Sequence, residues 1–557
     1  MEDSSSDLSV AGFLSIAVFV LSSVAEIMSR RHNEARDQDV RSSVHNKSIR
    51  LVRYLSENHG GWHSYTNTQE LFVQEFPKIE LHVHLDGAFD PDVLWKYMQQ
   101  HPESIYCLPV CTDLPWEQQP SKDDNGEIRP KQLAVRSMVE KCSTSRDFHA
   151  LCTCRGHRSL KAMLNCFEIF LPLVRRNLEL LEQLAFDFVQ RQWEQNTVYT
   201  EVRYSPFLLA EGYNDNAQQC ETADHDTVNG EMVFQAITKG LRRGCQKFHG
   251  IIINQILSAI TWRPDFAQPT LDLVCRYQND YPCATVGIDI AAGEEHFNAQ
   301  EFPALYQPHY EMIQKAKNLG IPITLHAGES TPQAMKNVER AILEYGAKRI
   351  GHGYRMVENR DLMHTVKEHN VHVEVCPTSS LETGGWVFTS APPSTPSSTH
   401  SNDSSNGGTK NWSRHPCIVM KEEGISFSLS SDDPAVFHTS LAWQYRIALA
   451  KMNFTREELL ETNIHAVNAA FCSEKVKESL RALLFDYGLS KHLKTNVSKH
   501  PTRMLDGSME SFESSRSAPA EDTKEGPTSS INYRYPWKRS LSESFTDRVY
   551  VSKSIYF

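Results

Sequence analysis

The sequence predicts an α/β fold in which eight parallel strands and their connecting helices close into a TIM-type (β/α)8 barrel. Residues 69–490 alternate short apolar runs with longer amphipathic segments, as βα units do. Eight such runs can be counted, and eight βα units close a barrel. An open, doubly wound sheet is the alternative, but no GxGxxG or GxxxxGK loop follows the first run.

The predicted strands share a short apolar run. They are Lys78–His84, Val198–Arg203, Gly250–Gln255, Thr285–Ile290, Ile323–His326, Arg349–His352, Val371–Val375 and Ser426–Ser430. Amphipathic segments predict helices at Pro308–Leu319 and Pro332–Tyr345, and extra helices at Leu160–Val174 and Leu178–Gln195 between the first two strands. We expect Cys107–His157 to be irregular, either a peripheral insertion or part of a lid.

Three segments have too few apolar residues for a core and are predicted to be disordered. They are the N-terminal arm 1–68, a surface insertion at 387–414 and the Ser-rich tail 491–557. Residues 10–25 of the arm form an apolar run that is short for a spanning helix, which needs about 20 residues. Signal peptide, membrane anchor and soluble arm all stay open for this run. We expect a cytoplasmic protein, with secretion or membrane association through 10–25 as the alternatives.

Charge and cysteine content exclude some classes of protein. The formal net charge of −12 disfavours nucleic-acid binding, which requires clustered Lys and Arg. The 13 cysteines are odd in number and irregularly spaced, unlike a disulfide framework. Cys152 and Cys154 lack the second ligand pair of a structural zinc site, so we expect buried, reduced thiols there.

Ionisable residues recur where the predicted strands end. His82 and His84 lie on one side of the first strand because side chains alternate, although two hydrogen-bonded structural histidines would produce the same pattern. The ends of later strands add further groups: His326, Glu329, His352, Asp432 and Asp433. In a (β/α)8 barrel these ends meet at one mouth. Burying so many ionisable groups there without a cation or a catalytic task would be costly.

The chain resembles the adenosine deaminase family in six segments that occur in the family's order. They are KIELHVHLDGAF, YTEVRYSPFLLA, ITLHAGES, RIGHGYR, EVCPTSSLETG and FSLSSDDPAVF. The resemblance extends from Phe76 to Tyr487 and includes the helical stretch SLKAMLNCFEIFLPLV. It implies a metal-dependent purine deaminase, unlike the zinc cytidine deaminases that use His and Cys ligands.

Carried over by residue, the resemblance implies one Zn²⁺ per subunit. Its ligands are His82, His84, His326 and Asp432, a set that suits zinc. Glu329 corresponds to the general acid that protonates purine N1, and His352 to the residue that orients or deprotonates the attacking water. Water then adds to C6 and ammonia leaves, so that adenosine becomes inosine.

The resemblance also implies the substrate contacts. Asp433 corresponds to the residue that meets N7, and His84 also faces the substrate. Gly293 corresponds to a backbone donor to N3, although IAAG carries one extra residue relative to the family. Asp86 corresponds to the carboxylate that accepts a hydrogen bond from the ribose 5′-hydroxyl and would repel a 5′-phosphate. A helix N-cap is the alternative for Asp86. The expected substrates are therefore adenosine and 2′-deoxyadenosine.

Two rival functions and one ambiguous helix remain. An AMP or N6-alkyl-AMP deaminase would need a cationic phosphate pocket, which the strand ends do not supply. A secreted, growth-factor-like binding protein would need an added dimerisation domain, and we expect a monomer. Four apolar residues at helical spacing are either plain core or a gate over the base: Leu160, Met163, Leu164 and Phe167.

Overall fold

Eight parallel strands form the centre of the fold in the computed structural model, which describes residues 67–108, 131–211, 228–294, 299–329, 333–386 and 412–497. In chain order they are β1 Lys78–His84, β2 Thr197–Tyr204, β3 Ile252–Ile260, β4 Thr285–Ala291, β5 Thr324–Ala327, β6 Arg349–His352, β7 His372–Val375 and β8 Phe427–Leu429. An additional antiparallel ribbon, outside the barrel, pairs Ile105–Leu108 with Lys131–Ala134.

The strands close into a barrel. β1 to β4 pair in sequence order in one sheet, and β5 to β8 do so in a second. Parallel bridges join the two sheets at both edges, Ile288 with Ile323 and Val83 with Asp432. The predicted (β/α)8 barrel is therefore confirmed. The carboxyl ends of all eight strands lie at one mouth.

Helices surround the barrel and fill the long connection between β1 and β2. They are α1 Asn67–Glu75, α2 Pro91–Gln100, α3 Val135–Cys142, α4 Ser145–Leu151, α5 Leu160–Val174, α6 Leu178–Glu194, α7 Pro206–Ala210, α8 Gly230–Lys247, α9 Ala267–Tyr277, α10 Pro303–Asn318, α11 Ala334–Leu343, α12 Arg360–Glu368, α13 Pro377–Glu382, α14 Pro416–Glu422, α15 Leu441–Lys451, α16 Arg456–Ala469 and α17 Glu474–Val497. Short 3₁₀ turns occupy Pro264–Phe266, Tyr354–Glu358 and Trp412–Arg414.

The largest differences between prediction and structure concern β3, α10 and the segment 107–157. β3 begins at Ile252 because Gly250, with φ of +86°, lies in the left-handed region, and the strand continues to Ile260 through an apolar run that the prediction cut short. α10 begins at Pro303, a residue suited to a first helical turn, and Pro308 lies inside the helix instead of starting it. The segment 107–157 is less irregular than predicted, since it contains part of the ribbon and the helices α3 and α4.

Parts of the predicted disordered segments lie outside the described residues. These parts are 1–66, 387–411 and 498–557, and they include the apolar run 10–25. Trp412–Arg414, at the end of the predicted insertion, is a 3₁₀ turn, and α17 continues past the predicted boundary at 490. Within the described ranges, no helix is long and apolar enough to cross a membrane.

The C-terminal helices complete the core on one side of the barrel. Ile79 and Leu81 of β1 and Tyr199 of β2 are buried together with Ala466 and Val467 of α16. This packing removes apolar strand side chains from water, which contributes about 25 cal/mol per Å² of apolar area. Phe471, which follows α16, lies against Gly287 of β4 and Arg349 of β6.

Candidate metal centre and active site

Four side chains at the strand ends bring their donor atoms together. One donor atom from each of His82, His84, His326 and Asp432 lies within 4.8 Å of the other three. The closest approaches are 3.1 Å between the Nε2 atoms of His84 and His326, and 3.2 Å between His82 Nε2 and Asp432 Oδ1. His82 Nε2 is buried without a hydrogen-bond partner. This buried nitrogen and the donor set fit a tetrahedral metal ion.

Carboxylates behind the cluster orient two of its imidazoles. His82 Nδ1 lies 2.8 Å from Glu374 Oε2, and His326 Nδ1 lies 3.1 Å from Asp289 Oδ1. Each carboxylate accepts a ring N–H, which leaves Nε2 as the free donor atom facing the cluster. Arg203 holds both carboxylates, at 2.7 Å from Glu374 and 3.5 Å from Asp289. Sequence reasoning missed all three supports, although Arg203 and Glu374 lie in the quoted segments YTEVRYSPFLLA and EVCPTSSLETG.

The electrostatics favour the ligand-competent forms of His84 and Asp432, whereas the charge of Asp289 outweighs burial and raises the pKa of His326. Burial, and then the charge of His326, holds the pKa of His84 well below its ordinary value, so this imidazole is neutral. Burial opposes ionisation of Asp432, but the nearby His82 ring, with Nε2 at 3.2 Å from Asp432 Oδ1, outweighs it and holds the pKa of Asp432 well below its ordinary value. Metal ligation requires neutral imidazole and ionised carboxylate.

The backbone at the mouth is strained in two places. His352 and Asp432 adopt φ of +72° and +64°, a left-handed conformation that non-glycine residues seldom take. The sequence predicts a break in extended geometry at Asp433–Pro434, and the left-handed residue is instead Asp432, one position earlier. Asp432 is held there by backbone hydrogen bonds on both sides, to His84 N at 2.9 Å and to His82 O at 3.1 Å.

Two glycines permit the close packing of site residues. A Cβ on Gly351 of β6 would lie 2.6 Å from the His82 ring, and one on Gly87 would lie 1.8 Å from Asp433 Oδ1. Contacts below 3.0 Å require the neighbour to move, and His82 is already held by Glu374 through Nδ1. Gly351 and Gly87 therefore set the positions of a metal-cluster imidazole and of a buried carboxyl.

Glu329 is buried near the cluster, and its carboxyl has a raised pKa. Its Oε2 lies 3.8 Å from His352 Nε2, and its Oε1 has no hydrogen-bond partner. Burial, and then the negative charge of Asp432, raises the pKa of Glu329 to about 8. Glu294 positions this loop, since its carboxylate accepts the N–H groups of Gly328 at 2.8 Å and Glu329 at 2.6 Å. Sequence reasoning missed this role of Glu294.

His352 is fixed by the residues behind it. Its Nδ1 lies 3.2 Å from the Tyr354 hydroxyl, which is anchored between the N–H and the carbonyl of Cys376, each at 3.0 Å. The Tyr354 proton goes to the Cys376 carbonyl, so His352 Nδ1 donates to the Tyr354 oxygen and Nε2 is left as an acceptor. Burial lowers the pKa of His352 well below its ordinary value.

The predicted substrate contacts are also at the mouth. Burial raises the pKa of Asp86 to about 7, and burial with the nearby Asp432 charge raises the pKa of Asp433 well above its ordinary value. Asp86 does not cap a helix, because the N-cap of α2 is Asp90. Oδ1 of both Asp86 and Asp433 lacks a hydrogen-bond partner. Gly293 is buried just beyond the end of β4.

Comparison with known proteins agrees with this arrangement. The sequence profile described as adenosine deaminase matches residues 126–396 and 398–487, more than half of the chain. The chain belongs to the adenosine deaminase family. It is therefore an enzyme of a metal-dependent hydrolase family that catalyses deamination. The matched range excludes β1, so His82, His84 and Asp86 join the site through the geometry described above.

Individual members and structural neighbours cover most of the chain. Adenosine deaminase from Xenopus tropicalis is 28% identical over 415 residues, covering 74% of this chain and 96% of the relative. An amidohydrolase from Burkholderia ambifaria with bound zinc has a TM-score of 0.55 at 20% identity, covering 79% and 98%. The N6-mAMP deaminase from Arabidopsis has a TM-score of 0.52 at 20% identity, covering 75% and 99%. At these identities the solved structures support the barrel fold.

Two further predictions from the sequence have structural outcomes. α5 begins at Leu160 as predicted, and Met163 is buried while Leu160, Leu164 and Phe167 are half-buried against the core. Packing against the core therefore accounts for these four apolar residues. Their alternative role as a gate over the substrate base stays a prediction. Cys152 and Cys154 are free, buried thiols.

Proposed function

We propose that this protein is a zinc-dependent adenosine deaminase that converts adenosine and 2′-deoxyadenosine to their inosine products and ammonia. The observation that carries the proposal is the cluster of three imidazoles and one carboxylate with the acidic Glu329 beside it. One Zn²⁺ would be held by His82, His84, His326 and Asp432. When bound there, zinc lowers the pKa of a water molecule towards neutrality and so supplies the nucleophile.

Glu329 is proposed to protonate the purine ring at N1. A pKa of about 8 keeps its carboxyl protonated at neutral pH, and the unpartnered Oε1 can present the proton to a ring nitrogen. Protonation of N1 makes C6 electrophilic. A general acid with a pKa near the working pH contributes typically ~10²–10⁴-fold to the rate.

His352 is proposed to act on the attacking water and Asp433 on the purine ring. The acceptor Nε2 of His352 can take a proton from the attacking water, because Tyr354 binds the other ring nitrogen. Asp433 has a raised pKa and is therefore a hydrogen-bond donor, which is what the lone pair of purine N7 requires. Gly293 is proposed to offer its backbone N–H to N3.

Asp86 is the basis for proposing a nucleoside substrate. Its buried Oδ1 lacks a partner and can accept a hydrogen bond from a 5′-hydroxyl, whereas an ionised carboxylate would repel a 5′-phosphate. An N6-alkyl-AMP deaminase is the second candidate, because such an enzyme needs a cation for the 5′-phosphate. Arg175 could supply it, since its positive charge is close enough to Asp86 to lower the pKa of that carboxyl.

Turnover of metal-replete protein on adenosine, 2′-deoxyadenosine, AMP and N6-methyl-AMP tests the proposal. We expect turnover on the two nucleosides, and loss of that turnover when zinc is removed with a chelator and recovery when zinc is returned. Turnover on the two nucleotides alone would favour the second candidate. No product from any of the four substrates would contradict the proposed reaction.

A further inference from the structure

A phenylalanine from beyond the barrel inserts near the N-terminal end of its strands. Phe471 follows α16, and its ring lies against Gly287 of β4, where a Cβ would come within 2.7 Å of the ring. The ring also lies 3.7 Å from the guanidinium carbon of Arg349, the first residue of β6. The Phe471 N–H donates to Glu201 Oε1 at 2.5 Å. Phe471 is thus tied to three strands.

Arg349 connects this phenylalanine to the metal cluster. Its side chain is fully buried, with Nε donating to Glu374 Oε1 at 2.6 Å and Nη1 donating to Glu201 Oε2 at 2.5 Å. Nη1 also donates to the carbonyl of Ala469 at 3.2 Å. The second oxygen of Glu374 is the one that holds His82 Nδ1. The contacts therefore run without a gap from Phe471 through Arg349 and Glu374 to His82.

We propose that Arg349 and Phe471 are positioning residues for the metal centre, acting on the ligand His82 through Glu374. The inference rests on the zinc site proposed above. Arg203 holds Glu374 Oε2, whereas Glu374 Oε1 is held, among the described residues, by Arg349 and by Thr324 Oγ1 at 3.0 Å, so loss of Arg349 removes one of the two ion pairs that fix this carboxylate. The Phe471 ring packs over the guanidinium, with 3.7 Å between the ring centroid and the guanidinium carbon, and favours its charge.

The test measures zinc dissociation into a chromophoric chelator from full-length, zinc-loaded protein. Arg349→Met should release zinc about 10–100-fold faster than the unaltered protein, as loss of support behind a ligand usually does. Phe471→Ala should accelerate release to a smaller extent, and Phe471→Leu should do the same because it keeps apolar volume but loses the ring face. Both Arg349→Met and Phe471→Ala should shift the visible absorption of Co²⁺-loaded protein, which reports ligand geometry.

The controls separate positioning from general loosening. Leu483→Ala changes a 44% exposed leucine of α17 and should leave zinc release and the cobalt spectrum unchanged. In the Arg349→Met background, Phe471→Ala should add nothing, because the two residues act in one chain. Zinc release and cobalt spectra unchanged in Phe471→Ala and Phe471→Leu would overturn the inference. Failure of the unaltered protein to bind zinc would instead contradict the proposed function.

An independent feature is a pair of thiols far from the mouth. Cys245 lies near the end of α8 and Cys283 precedes β4, and their sulfur atoms are 3.9 Å apart. Cys283 is buried, while Cys245 is half-buried. A disulfide needs about 2.0 Å between sulfurs, so the two sulfur atoms must approach by about 2 Å for the bond to form.

We infer that Cys245 and Cys283 form a reversible disulfide on oxidation by a peroxide. The Cys245 thiolate attacks one peroxide oxygen, and with one proton taken up this gives a sulfenic acid and water. The Cys283 sulfur then attacks the Cys245 sulfur, its proton joins the departing hydroxide as a second water, and the disulfide remains. A hydrogen bond from Cys283 lowers the pKa of Cys245, which favours Cys245 as the first thiol to react.

Peptide mass mapping of the full chain after hydrogen peroxide treatment tests this inference. We expect a cross-linked peptide pair containing residues 245 and 283, separated again by a thiol reductant. Cys283→Ser should abolish the pair and leave Cys245 oxidised to the sulfinic acid, whereas Cys275→Ser, at another half-buried thiol, should change nothing. Oxidation of other cysteines without a 245–283 linkage would overturn it.

Discussion

Buried ionisable groups have opposite surroundings at the mouth of the barrel and at its floor, the region around Arg349, Glu374 and Glu201. At the mouth, three carboxyls lie near one another, and burial raises the pKa of each: to about 7 for Asp86, to about 8 for Glu329 and well above the ordinary range for Asp433. At the floor, opposite charges are in direct contact, as in the 2.6 Å pair of Arg349 and Glu374. Both sets are removed from water.

This difference separates groups that do chemistry from groups that hold geometry. A buried charge is tolerated when an opposite charge and hydrogen bonds surround it, as at the floor. Carboxyls that face like charge and keep unpartnered oxygens are costly, and the cost is relieved when a metal or substrate supplies the missing partners. The paired residues of the floor orient the ligands, while the unpaired residues of the mouth are available to react.

Substitution of a mouth carboxyl should have the largest effect. Glu329→Gln keeps size and polarity but removes the proton that N1 needs, so kcat should fall about 10²–10⁴-fold. The zinc content should not change, because Glu329 is not one of the four clustered ligands. Steady-state kinetics and metal analysis on the same preparation measure both. Retained activity in zinc-loaded Glu329→Gln would show that the mouth carboxyl is not the acid.

A substitution at Gly351, next to the metal ligand His82, should weaken zinc binding. In Gly351→Ala the added methyl would lie 2.6 Å from the His82 ring, which Glu374 prevents from retreating. Zinc affinity should therefore fall about 10–100-fold, as it does when ligand orientation is disturbed. Competition with a chelator measures it. Gly488→Ala, where the nearest atom is the end of a leucine at 3.1 Å, is the control and should bind zinc normally.

The mouth was more predictable from the sequence than the floor. His82, His326 and Asp432 stand where apolar runs end, and barrel topology alone brings strand ends together. Glu374 and Arg349 are charged residues within strands, and their other partners, Glu201 and His82, come from strands distant in the chain, so no local pattern indicates the pairing. The left-handed backbone at Asp432 was misplaced by one residue because it depends on hydrogen bonds to β1, which local propensity does not include.

A smaller effect is expected at the carboxyl proposed to meet the sugar. Asp86→Asn removes the charge but keeps an acceptor oxygen, so adenosine should lose about 10-fold in kcat/KM, the value of one hydrogen bond to a charged group. The same change removes like-charge repulsion, so the ratio of kcat/KM for adenosine over AMP should fall further. Kinetics on both substrates measure this. An unchanged ratio would mean that Asp86 does not discriminate between a 5′-hydroxyl and a 5′-phosphate.

The smallest effect concerns buried histidines outside the mouth. His415 donates to Ser380 Oγ at 2.9 Å and accepts from Cys417 N at 3.2 Å, and burial lowers its pKa to about 3. Burial also lowers the pKa of His372 to about 3. Each is neutral when folded but takes up a proton below about pH 6.5 when unfolded. The stabilising contribution is therefore complete above pH 6.5 and is lost as pH falls towards 3.

Urea unfolding between pH 5 and pH 8 measures this loss. Below about pH 6.5 each histidine should lower the free energy of unfolding by up to ~1.4 kcal/mol per pH unit. His415→Gln should make that slope shallower by one such increment, because the residue that titrates only in the unfolded chain is gone. Ser380→Ala removes the hydrogen-bond partner but keeps the imidazole, so it should lower stability at every pH with the slope preserved. Equal slopes in His415→Gln and the unaltered protein would show that His415 has the same pKa in the folded and unfolded chains. Burial would then not lower the pKa of this histidine, contrary to the prediction.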